Sequence, residues 1–174
     1  AFETTIPLNI TLKAAWLLKA STEKAETFNV IAEGQDWAYY TTSVRSDTTK
    51  NTVNNGAIAI ATANANLDGT GTMGTVLTAA SNGTHIQSVT IITVAVTTTL
   101  GMVRLFVYDG TSSKLLAELP IPSITRTATI PCPGHTIKFN NGFALKSGWQ
   151  LRASTQIAET FNVIADAFDV SYPA

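Results

Sequence analysis

The sequence predicts an all-β protein: an antiparallel β-sandwich, jelly-roll-like, with a partial second copy of the same unit at its N-terminus. Three observations carry that expectation. Thr, Val and Ile are abundant, and their branched side chains lose rotamer freedom in helices while packing well on a pleated surface. The apolar runs are strand-length and bounded by Gly, Pro, Asn or Asp. And "ASTEKAETFNVIAEG" from Ala20 returns as "ASTQIAETFNVIADA" from Ala153.

The repeat sets the domain plan. Shifted by 133 positions, Ala15–Trp37 aligns with Gly148–Val170, and fourteen of the twenty-three pairs are identical, including Trp16 with Trp149, Leu18 with Leu151 and Asp36 with Asp169. Identity of this density marks two copies of one supersecondary unit, read as strand, turn around the Trp, strand, loop and strand. Residues 1–44 are therefore expected to be the back half of a repeated unit, 45–56 a polar linker and 57–174 a complete sandwich. Half a sandwich exposes strand edges and an apolar face. Three arrangements would cover it: a longer tandem protein, which is the favoured one, docking in cis on the complete unit, or strand addition to a neighbouring subunit.

Within the complete unit, the runs from His85, Gly101, His135 and Glu159 read as strands. In "MVRLFVYDG" the period of two sets Val103, Leu105 and Val107 on one face and Arg104, Phe106 and Tyr108 on the other. Asp109-Gly110 then supplies a positive-φ turn into a return strand from Ser113. Pro120, Pro122, Pro131 and Pro133 mark an edge or exposed connection, where ladder donors are not needed. "STQIAETF" has the look of a helix cap, but the β-rich "FNVIA" follows at once and makes it a loop.

Charged residues are 13% of the chain, the net charge is −1 and the pI is about 6.1, which gives no electrostatic basis for binding nucleic acid or an anionic membrane. No apolar run approaches the roughly eighteen residues that a spanning helix needs. The sequence shows no basic and apolar leader, so no signal peptide is expected within it. The lone Cys132 has no partner for an internal bridge and reads as a half-buried thiol in a turn.

Catalytic, cofactor-binding and metal-binding residues are not expected. His85 and His135 stand outside any nucleophile motif. Glu26 and Glu159 occupy equivalent places in the two copies, which favours a shared duty as acceptors of backbone N–H groups over a glycosidase pair. "NANLDG" from Asn64 begins like a calcium loop but has Thr75 where a bidentate Glu belongs, so a Gly-rich loop is the better account. Trp16 and Trp149 read as core plugs or domain-edge anchors. Trp37, whose counterpart is Val170, is dispensable to the unit and is the possible interface residue.

"GMVRLFVYDG" and "RASTQIAETFNVIA", set in the Gly- and Thr-rich sequence from about residue 57 to 170, resemble a group of small β-domain structural proteins of tailed bacteriophages, namely head-decoration, head-fibre or tail-associated proteins. The resemblance extends to residues 1–37 for the back half alone, and "PCPGHTIKFNN" departs from it. It implies a non-enzymatic virion component, assembled in the host bacterial cytoplasm without a cofactor, whose partners are itself and other virion proteins. A receptor- or glycan-binding module on a fibre or adhesin is the alternative.

Overall fold

The computed structural model describes residues 17–20, 29–32 and 52–170. The chain divides into two compact units, Ala1–Ala32 and Glu33–Ala174.

Among the described residues the second unit holds nine strands: β1 (Thr52–Val53), β2 (Gly56–Ile60), β3 (Gly74–Thr78), β4 (Thr84–Thr93), β5 (Gly101–Tyr108), β6 (Ser113–Ile121), β7 (Gly134–Leu145), β8 (Gln150–Thr155) and β9 (Phe161–Asp169). Residues 52–56, which the sequence assigns to the polar linker, hold β1 and the first residue of β2.

Strand pairing is nested. β2 pairs with β9, β3 with β8, β4 with β7 and β5 with β6, all antiparallel, as in one long hairpin folded over on itself. The two arms meet again along β4–β9 and β5–β8. The result is one sheet in the order β2-β9-β4-β7, with β1 also on β9, and a second in the order β3-β8-β5-β6. That is the strand order of a jelly roll, two Greek keys rolled into facing sheets.

The inner faces follow from alternation. Along β9, Phe161, Val163, Ala165 and Ala167 are buried while Ile164 and Asp166 are exposed. β4 keeps the same alternation until Gln87, a bulge that resets the register against both β7 and β9 so that Ile86 and Val89 face the core alike. β6, which carries Pro120, is an edge strand, where a missing ladder donor is tolerated.

The β5–β6 hairpin turns through Asp109–Ser112, with Gly110 at φ 97°. Both faces of β5 are buried: Arg104 and Phe106 are covered along with Val103, Leu105 and Val107. β5 lies between β8 and β6, and the outward Arg104 is drawn under the β2–β3 loop, where Nη1 donates to Asn64 O at 3.2 Å and Nε to Glu118 Oε1 at 2.8 Å. A charge buried in this way is retained because its partners satisfy it.

In the first unit, Leu17–Ala20 and Asn29–Ala32 lie outside regular secondary structure, although their counterparts 150–153 and 162–165 are in β8 and β9. β8 and β9 are flanked on both sides by hydrogen-bonded neighbours, whereas Leu18 and Val30 are 50% and 65% exposed. Strand geometry without a ladder leaves backbone groups unpaired, so sequence identity alone does not make a strand.

Candidate functional site

Four connections of the jelly roll gather at one end. The C-terminal end of β4 pairs with the start of β9, the start of β7 lies beside Ile92, and Ile60 at the end of β2 pairs with Phe161. The loops 61–73, 94–100, 122–133 and 156–160 therefore share that end, while 79–83, 109–112 and 146–149 close the other.

Backbone hydrogen bonds tie the long loops together. Thr98, buried, donates its hydroxyl to Pro122 O at 2.6 Å and accepts the N–H of Ile124 at 3.0 Å, while its own N–H reaches Ile124 O at 2.8 Å. Arg126 N–H donates to Val96 O at 2.7 Å, and Thr97 bridges Thr125. From the other side, Val94 N–H donates to Thr160 O at 3.1 Å, and Glu159 Oε1 accepts both the N–H and the hydroxyl of Thr99, at 2.8 and 2.7 Å.

This pinning turns apolar side chains outward. Val96 and Leu100 are 67% and 77% exposed, and Leu67, Val94 and Ile130 are exposed with them. The four loops carry only Asp68, Arg126 and Glu159 as charged residues. Such an end offers area and shape with little charge, which is how the buried centre of a protein interface is built.

Asn64 and three aspartates make hydrogen bonds that organise loops and strand ends. Asn64 Nδ2 donates to Thr70 O and Thr72 O, both at 2.9 Å, and its Oδ1 accepts Asn66 N–H at 3.0 Å, so it organises the β2–β3 loop from within. Asp68 accepts the hydroxyl and the N–H of Thr70, and these bonds hold its carboxyl below the usual aspartate range. Asp109 is held low in the same way by the N–H groups of Ser112 and Thr111. Asp169 accepts Asn54 Nδ2 at 2.7 Å and the buried Thr84 hydroxyl, fastening β9 to β4.

His85 stacks on Phe168 with ring centroids 5.4 Å apart. His135 pairs with Ile91 on β7, six residues along β4 from His85, so the two imidazoles are separated by about 20 Å of ladder. Trp149 sits half-buried in the β7–β8 turn, where its carbonyl accepts Ala79 N–H at 2.8 Å. Cys132 is a half-buried free thiol. Trp16, Glu26 and Trp37 fall outside the described residues. Sequence reasoning did not find the apolar loop end, because Val94, Val96, Leu100 and Ile130 read individually as strand residues or scattered loop residues.

No family model and no curated protein matches the chain. Among solved structures it is similar to a pentameric capsid protein isolated from metagenomic phage sequences, at 18% identity over 75% of this chain and 74% of that one, with a TM-score of 0.40. A second structure of a pentameric capsid protein from metagenomic phage sequences covers 76% and 78% at 17% identity, TM-score 0.37. The capsid asymmetric unit of cyanophage Pam1 covers 79% and 98% at 12% identity, TM-score 0.37.

Proposed function

We propose that this chain is a non-enzymatic structural component of a phage virion, a decoration or fibre protein that self-associates and packs against other virion proteins. The observation that carries this reading is the apolar loop end: Val94, Val96, Leu100 and Ile130 are held to solvent by hydrogen-bonded loops. The motifs "GMVRLFVYDG" and "RASTQIAETFNVIA" supply the viral context through their resemblance to phage β-domain proteins. Attachment then rests on burial of apolar area, with sheet pairing for rigidity and closed symmetry as the expected form.

Two measurements test it. Proteomic analysis of purified particles of the encoding phage should find the chain at many copies per particle, and its absence would overturn the virion role. Sedimentation should give a parent species larger than a monomer, shifted toward monomer by Val96→Asp with Leu100→Asp. An unchanged distribution would remove the loop end as the self-association surface.

A further inference from the structure

The two sheets differ on their outer sides. On the β3-β8-β5-β6 sheet the outward Arg104 and Phe106 are buried, and the 61–73 connection crosses that side: Arg104 Nη1 donates to Asn64 O, and Gly69 lies against Ser113 too closely to admit a Cβ. On the β2-β9-β4-β7 sheet the outward Ile92 and Ile164 remain 38% and 44% exposed.

The ladder register lays this second outer face out in rows. Read across β9, β4 and β7, they are Asn162-Ile92-Gly134, Ile164-Thr90-Thr136 and Asp166-Ser88-Lys138. The first two rows carry no charge and no side chain larger than Ile, so the face is flat and neutral over most of its extent. The third sets an acid and a base on either side of Ser88, two strand spacings or about 10 Å apart. Both are exposed, and among the described residues the one ion pair is Arg104–Glu118, so neither charge is matched within the chain.

That placement of charge selects an occupant. When a sheet face is laid on its own copy, a two-fold axis can run along the middle strand or across the strands. An axis across the strands sets β9 on β9 and β7 on β7, and never brings the acid to the base. An axis along β4 sets β9 of one copy on β7 of the other. Asp166 then faces the partner's Lys138 and Lys138 faces the partner's Asp166, while Ile164 covers Thr136, Asn162 covers Gly134 and Ile92 meets its own counterpart on the axis.

We propose that this face is a docking surface for a second copy of the same chain, packed face to face about a two-fold axis along β4 with two Asp166–Lys138 pairs across it. Aligned strands are one of the two ways in which sheets stack. Three strands by five residues amount to roughly 250 Å² of face, against about 800 Å² per partner in a stable complex. The contact is therefore weak, and it is populated at high protein concentration or where other contacts already hold copies side by side. It occupies the flank of the sandwich and leaves the loop end free, so the two surfaces are independent.

Charge exchange tests it. All chains in the test carry Val96→Asp and Leu100→Asp, so that the loop end takes no part. Asp166→Lys and Lys138→Asp should each weaken self-association by about tenfold, because like charges then face each other twice across the axis. Mixed together, these two variants should associate at least as tightly as the chain with both residues unchanged, since one brings two lysines to the axis and the other two aspartates. The chain carrying both substitutions should recover pairing with itself. Its net charge is that of the unexchanged chain, so its recovery reads position and not total charge. Sedimentation over a range of protein concentrations at low ionic strength, where these charges are least screened, measures every case. A mixture that sediments as the average of its components overturns the proposal, and so does a doubly exchanged chain that pairs no better than the single variants. Either failure leaves the loop-end test unaffected, because that test does not touch Asp166 or Lys138.

Discussion

Glu159 takes both the backbone N–H and the hydroxyl of Thr99 on a single carboxylate oxygen, at 2.8 and 2.7 Å, and so ties the β8–β9 loop to the β4–β5 loop. Hydrogen bonds to a charged acceptor are stronger than neutral ones, and an N–H left without its acceptor adds a desolvation cost when it is shielded from water. Glu159→Ala is expected to destabilise the unit by about 1–2 kcal/mol, with Glu159→Gln recovering part of the loss because the amide oxygen still accepts. Urea denaturation of the three proteins checks the order.

Thr98 is the second pin of the same end. Its buried hydroxyl serves Pro122 O and Ile124 N–H together, so Thr98→Val, equal in shape, strands both groups. The expected cost is about 1–3 kcal/mol. A role in presenting the apolar surface predicts a further effect on self-association, measured by sedimentation at a protein concentration where Thr98→Val remains folded.

Much of this architecture was legible in the sequence, and its limits have physical causes. Asp109-Gly110 announced the β5–β6 hairpin because positive φ is a local demand, and the return strand runs from Ser113 as expected. The repeat marked the span of β8, its loop and β9, although the described residues of the first copy do not share their strand structure or burial. Alternation set Arg104 on the face opposite Val103, but its burial was not legible, since the groups that cover it, Asn64 and Glu118, are 40 and 14 residues away. Bulges at Gln87 and Leu116 break a period-two reading without any local signal. The loop end escaped notice because it is assembled from four separate connections that only the nested pairing brings together.

Arg104 and Glu118 form an ion pair whose side chains are 5% and 14% exposed. Removing one partner leaves the other charge buried and uncompensated. Glu118→Ala is therefore expected to cost about 3–5 kcal/mol, whereas Arg104→Met combined with Glu118→Leu should come close to the parent. Chemical denaturation of the singles and the double checks this, and additive losses in the double would contradict it.

The pH response follows from Asp109 and Asp68. Both carboxyls are pulled below the usual aspartate value in the folded chain, Asp109 by the N–H groups of Ser112 and Thr111, and Asp68 by the hydroxyl and N–H of Thr70. A depressed folded value means that the unfolded chain binds protons first as the pH drops. The stabilisation is complete above the unfolded value and is lost as the pH falls through the lower folded one. Carboxyl-detected NMR titration should place both transitions below those of Asp109 and Asp68 in urea-unfolded chain. Asp109→Asn should flatten the acid limb of the stability profile by lowering the plateau near neutrality, where the ionised carboxylate contributes, while leaving the acid end unchanged.

The two copies of the repeat offer an internal comparison in which residue type and solvent are held constant and much of the surrounding sequence is shared. Leu151 is fully buried, and Leu151→Ala should cost about 2–5 kcal/mol through lost apolar transfer and the cavity left behind. Leu18, half exposed at the equivalent position, has little burial to lose, and Leu18→Ala should shift stability by less than about 0.5 kcal/mol. Val163→Ala and Val30→Ala should repeat the contrast, since Val163 is fully buried and Val30 is not. Thermal or urea unfolding of the four single variants decides the matter: comparable losses in both copies would mean that the N-terminal copy is already seated in a core within the isolated chain.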